Sequence, residues 1–159
     1  MRYGDINWDA VGSISEALGA IGVIVTLIYL IRQIKQNTSA TRSAAAAAYS
    51  QASMTLSKTL SDSVEANSHF YTYLDNPDQL TPEERKRAQA IVSLYIHTME
   101  QAYDLYCEGA LTERKWQSRY KQIIWIAQRP GFVEYWQEYG EVYADDFSNY
   151  VKRAIEETH

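Results

Sequence analysis

Between Val11 and Ile31 the chain reads VGSISEALGAIGVIVTLIYLI, with Glu16 its only charge and apolar residues on every side of a helix. At about 1.5 Å per residue this stretch reaches roughly 30 Å, the thickness of a bilayer's hydrocarbon core. The pattern predicts a single transmembrane helix over 11–31, preceded by a short extracytoplasmic N-terminus over 1–10. A cleaved signal peptide fits less well, because the acidic flank comes first and Arg32 and Lys35 follow the apolar run. A buried core helix would need cover on all sides from a small domain that has apolar stripes of its own to bury.

The pattern then changes. Residues 33–73 are rich in Ser, Thr, Ala and Gln, with widely spaced Tyr49, Met54, Leu56, Leu60 and Val64 and no proline or glycine. This predicts a long juxtamembrane helix over 32–75, either a stalk or the first helix of a domain. The simplest reading is one continuous helix, with Asn37 to Ser39, where side chains compete for backbone hydrogen bonds, as the alternative place for a break. Asp75-Asn76-Pro77-Asp78 ends the helical pattern, since the residue before proline is pushed out of the helical region.

Beyond the turn, apolar stripes at helical spacing predict a helical bundle over 81–159. Thr81-Pro82-Glu83-Glu84 carries a capping box with proline at the first position. The helix it opens runs to about Glu108 with the stripe Ala88, Val92, Tyr95, Met99, Ala102 and Tyr106, and Gly109 stops it. Thr112 with Glu113 opens a second helix to about Gln128, with the stripe Trp116, Tyr120, Ile123, Ile124 and Ala127. Pro130-Gly131 separates it from a short helix over Phe132 to Tyr139, and a last helix starts near Asp145. Short connections favour antiparallel neighbours. The predicted fold is all-α: one N-terminal transmembrane helix continuing into a long helix, then a small bundle.

Within the apolar run, Gly12, Ser15, Gly19, Gly22 and Thr26 recur at spacings of three and four and share one helix face. In lipid there is little hydrophobic drive between helices, so close van der Waals packing at small residues becomes a main source of association. The seam therefore predicts a partner helix: another copy, another membrane protein complex, or another helix of the chain. Trp8 and Tyr29 stand where interfacial aromatics are expected, and Arg32 and Lys35 follow as basic anchors. Arg2 is the only basic residue ahead of the run, whereas Arg32, Lys35 and Arg42 follow it, which places the C-terminal domain in the cytoplasm. Glu16 lies about one turn inside the outer boundary, within reach of headgroups or a neighbouring chain.

The net charge of −5 removes the broad attraction to phosphate backbones, so no nucleic-acid partner is expected. The lone Cys107 forms no internal disulfide or multi-cysteine metal cluster. His97, Glu100 and Asp104 share one side of a helix at spacings a metal site uses. They lie opposite the apolar stripe, however, and di-metal bundles supply two inward Glu-x-x-His motifs. No phosphate loop, nucleophile elbow or H-E-x-x-H is present. No enzymatic activity, metal or cofactor is expected. The tyrosines and tryptophans toward the C-terminus outnumber what a small core requires, and Tyr135, Trp136, Tyr139 and Tyr143 lie close together, so they are read either as core or as candidate docking aromatics.

Asn7-Trp8-Asp9, the glycine-studded run, Tyr29-Leu30 and Arg32-Gln33-Ile34-Lys35-Gln36-Asn37-Thr38 together resemble the start of a group of uncharacterised bacterial proteins with one N-terminal transmembrane helix and a C-terminal helical domain. Glu100-Gln101-Ala102-Tyr103, Glu108-Gly109-Ala110-Leu111, Trp116, Arg129-Pro130-Gly131, Tyr135-Trp136 and Phe147-Ser148-Asn149-Tyr150-Val151 extend the resemblance over most of the chain. It implies a bacterial inner-membrane location and transfers no functional residue. The leading expectation is a membrane-anchored interaction or accessory protein. A homo-oligomeric pore lined by Thr26, Gln33 and Gln36, or a self-assembling scaffold, is the alternative, and a metal-binding bundle ranks third.

Overall fold

A computed structural model describes residues 8–158. Among them every regular element is helical: α1 Trp8–Asp62, α2 Val64–Asp75, α3 Pro82–Cys107, α4 Glu113–Ala127, α5 Pro130–Tyr139 and α6 Asp145–Glu156. Short 3₁₀ turns occupy Pro77–Gln79 and Gly140–Val142. The fold is all-α, with a long N-terminal helix followed by a smaller helical region. It divides into two compact units between Thr41 and Arg42. Of the N-terminus expected over 1–10, residues 1–7 lie outside the described part.

The helix runs unbroken through Asn37 to Ser39, but the single helix expected over 32–75 is interrupted at Ser63. Ser63 adopts an extended backbone and its hydroxyl accepts from the Ala66 amide at 3.1 Å, capping α2. Asn67 donates from its side chain to the Leu60 carbonyl at 3.3 Å, occupying an acceptor that the end of α1 leaves open. Around Asn37 to Ser39 the competing side chains lose. Thr41, for instance, donates back to the Asn37 carbonyl at 3.0 Å, a bond compatible with continued helix.

The capping box at α3 is formed. Thr81 accepts from the Glu84 amide at 3.4 Å while the Glu84 carboxylate accepts from the Thr81 amide at 2.8 Å. These bonds hold the Glu84 carboxyl below its ordinary value, the Thr81 hydroxyl bond being the larger cause. Gly109 closes α3 in the left-handed region at φ +70°, which lets the Ala110 and Leu111 amides both reach the Leu105 carbonyl at 2.8 Å. At the next helix Thr112 is extended, but its hydroxyl makes no capping bond.

One core serves the second unit. Its largest fully buried side chains are Trp116, Tyr73, Phe132 and Phe147, surrounded by Leu74, Ile96, Ile123, Ile126, Val92 and Val151. Tyr49 and Leu56 are buried as well, so the end of α1 is the first helix of this domain rather than a free stalk. The α3 stripe differs from the expected one: Ile96 and Leu105 are buried, whereas Tyr95 and Tyr106 are half-buried. α3 packs against both α2 and α4, which covers a wider arc than a single stripe. α5 crosses close to α2, since a Cβ on Gly131 would overlap the Tyr73 carbonyl and lie 3.1 Å from the Leu74 Cα.

Candidate functional site

In the first unit the apolar residues face outward in all directions. Twelve large apolar side chains between Val11 and Ile31 are 44–64% exposed, and the hydrophobic core contains no described residue of this unit. The helix is long and apolar enough to cross a membrane. Trp8 is 73% and Tyr29 64% exposed, at opposite ends of this stretch, and Arg32 and Lys35 follow within the same helix, both exposed.

The seam residues lie along α1 with open space beside them. A Cβ on Gly12, Gly19 or Gly22 would meet nothing within 4 Å. Ser15 donates to the Val11 carbonyl at 2.9 Å and Thr26 to the Gly22 carbonyl at 2.8 Å. Both hydroxyl donors are thus satisfied inside the helix, and neither side chain needs a polar partner. The result is a low, smooth ridge that another backbone can approach closely.

The candidate docking aromatics fall elsewhere. Tyr135, Trp136 and Tyr143 are 4–5% exposed and belong to the core, and Tyr139 is half-buried against it. The Trp136 and Tyr143 rings stack at 5.2 Å, and the Tyr135 and Tyr143 hydroxyls share a hydrogen bond of 2.9 Å. Burial is the main reason the Tyr143 phenol is pushed far above its ordinary value. With α5 and α6 each under four turns long, wide rings are what fill the space between them. The Trp136 indole N–H is buried without a hydrogen-bond partner among the described residues and packs against Gly140, beside an open groove of about 280 Å³.

His97, Glu100 and Asp104 do share a flank of α3, where Glu100 and His97 make contacts within the bundle. The Glu100 carboxylate accepts the Ala144 amide at 2.9 Å, fixing the start of α6, and its other oxygen lies 3.4 Å from His97 Nδ1. The His97 ring packs on Tyr143 at 5.0 Å. Partial burial, then Glu100, Asp146 and Glu108, push the Asp104 carboxyl above its ordinary value. Among the described residues no group of three or more His, Cys, Asp or Glu side chains is arranged to hold a metal ion. Cys107 is exposed at the end of α3.

Several interactions were invisible to pattern reading because their partners are far apart in the chain. Arg85 pairs with Glu134, Arg129 with Asp75 at 2.6 Å, and the Trp116 indole donates to the Tyr150 hydroxyl at 3.3 Å. These bonds tie α3 to α5, the segment before α5 to α2, and α4 to α6. No protein-family model, curated protein or solved structure matches this chain.

Proposed function

We propose that the chain is a single-pass membrane protein that packs through Gly12, Ser15, Gly19, Gly22 and Thr26 against a partner helix and docks its helical domain on the same membrane assembly. The observation that carries this reading is the contrast in burial: the apolar residues of α1 surround the helix and stay exposed, while the second unit completes its core without them. The segment's Val, Leu and Ile side chains each favour insertion by about 0.3–0.6 kcal/mol, on the order of 5 kcal/mol together. A carboxylate at the helix centre costs about 3 kcal/mol, and Glu16, near one end, costs less. Insertion wins.

Arg32, Lys35 and Arg42, following the span, support a cytoplasmic second unit. The resemblance of the quoted segments to bacterial membrane proteins supports an inner-membrane location. The chain is read as an accessory or scaffolding component, with no catalytic residue assigned.

The test is the mass and composition of the particle extracted gently in detergent, compared between the native chain and a Gly19→Leu, Gly22→Leu variant. Co-purification of another membrane protein with the native chain and its loss in the variant is the expected result. A closed oligomer of this chain alone, broken by the variant, would replace it with the self-assembling scaffold or pore. A monomer in both samples would reject the seam as a contact.

A further inference from the structure

α4 carries a face that the bundle does not use. Arg114, Ser118, Lys121, Trp125 and Gln128 are exposed and recur at spacings of four, three, four and three, so they form one outward stripe opposite the buried Trp116, Ile123 and Ala127. Between Glu113 and Arg129 five basic residues stand against one acid, in a chain whose net charge is −5. The acid is held to one side: Glu113 accepts from Gln117 at 2.7 Å and from Tyr106. Arg119 turns inward over the Tyr49 ring at 5.5 Å. Arg129 is engaged by Asp75 and lies 4.7 Å from the Trp125 ring centre. Arg114, Lys115 and Lys121 make no ion pair among the described residues.

The aromatic end of the stripe is also open. Trp125 is 37% and Tyr71 of α2 44% exposed, with their rings edge-on at 6.4 Å. Two amphipathic rings at one end of a row of unpaired cations match the two layers of a bilayer surface, where indoles sit at headgroup depth and lysine or arginine meets lipid phosphate.

We propose that the exposed face of α4, with Tyr71, docks on an anionic lipid surface. This rests on the reading of residues 11–31 as a span, because a tethered domain meets the headgroups at high effective concentration. The same cations on an untethered acidic protein would bind poorly against its overall charge. A nucleic-acid backbone offers phosphate too, but no apolar layer for Trp125 and Tyr71 and no tether.

The experiment uses the full chain reconstituted in vesicles of phosphatidylcholine alone, or of equal parts phosphatidylcholine and phosphatidylglycerol. Acrylamide quenching of tryptophan emission is compared between the native chain and Trp125→Phe, so that the difference isolates Trp125. The expected result is that Trp125 loses most of its quenching in the anionic vesicles. Quenching should return at high salt, and in an Arg114→Gln, Lys115→Gln, Lys121→Gln variant of unchanged helicity. Equal quenching in both vesicle types overturns the proposal, as does shielding that survives in the triple variant. Shielding in neutral vesicles only after a duplex oligonucleotide is added also overturns it, in favour of nucleic acid. Alkaline carbonate extraction of the same vesicles reads the span separately. Release of the chain overturns the span while the quenching comparison still decides the face. Retention with unshielded Trp125 overturns the docking alone.

Discussion

The two units use the same apolar side chains in opposite ways. In α3 to α6 most of the large apolar residues point inward, and Val92, Ile96, Trp116, Ile123, Phe132, Phe147 and Val151 lose all or nearly all contact with solvent. In α1 ahead of Thr41, Ile14, Leu18, Ile21, Val23 and Ile24 each keep more than half of their surface, and the other large apolar residues between Val11 and Ile31 keep 44–64% of theirs. A one-sided stripe is the signature of a helix that shares a core, and a helix apolar all round requires an apolar surrounding. The second unit meets its own requirement internally. The first must find its surrounding elsewhere, which in the proposed function is lipid and a close-packed partner helix.

Substitutions should separate the two units cleanly, beginning with the bundle. Trp116→Ala removes a buried ring that packs on Tyr103, Tyr106 and Tyr150 and donates to the Tyr150 hydroxyl. It should cost about 3–5 kcal/mol in chemical denaturation of the detergent-solubilised chain. Gly131→Ala forces α5 away from the Tyr73 carbonyl and should cost about 1–3 kcal/mol or more, read in the same way.

Alkali should also act on the bundle. Burial pushes the Tyr95 phenol up to about 12, with nearby Arg119 opposing. A phenol whose folded value is raised holds its proton more tightly when folded, so its contribution is complete below about pH 10 and lost as pH rises toward 12. For Tyr95 this is up to about 3 kcal/mol. A Tyr95→Phe variant should show a shallower loss of stability across that window. Smaller still, Thr81→Ala removes the capping box of α3 and should cost about 1 kcal/mol. At the bottom of the scale, Gly19→Leu with Gly22→Leu should leave bundle stability unchanged within about 0.5 kcal/mol while altering the mass of the extracted particle.

Legibility in the sequence follows the range of the forces. The apolar run, the Pro77 turn, the Thr81 capping box and the Gly109 stop depend on residues within a few positions of one another, and each could be read directly. Ser63 was locally readable as well, since a serine cap followed by Glu65 in the first turn is a helix start. The surrounding Ser and Thr residues hid it, and only the bond from Asn67 to the Leu60 carbonyl distinguishes it. The burial of Ile96 and Leu105 depends on two neighbours covering α3 at once. The Glu100 contact with the Ala144 amide joins residues 44 positions apart. Tyr135, Trp136 and Tyr143 looked surplus because the width of the gap between short helices is a tertiary quantity. The outward placement of Trp125 carries no local signal, because its helix already has a complete inward stripe.

The most direct measurement is water-soluble maleimide labelling of single cysteines in a Cys107→Ser background in intact membranes, at Val25→Cys in the apolar stretch and at Ser43→Cys beyond it. A span over 11–31 predicts that Ser43→Cys labels from the cytoplasmic side while Val25→Cys stays unlabelled until the membrane is dissolved. Equal labelling of the two in intact membranes would contradict it and return α1 to water.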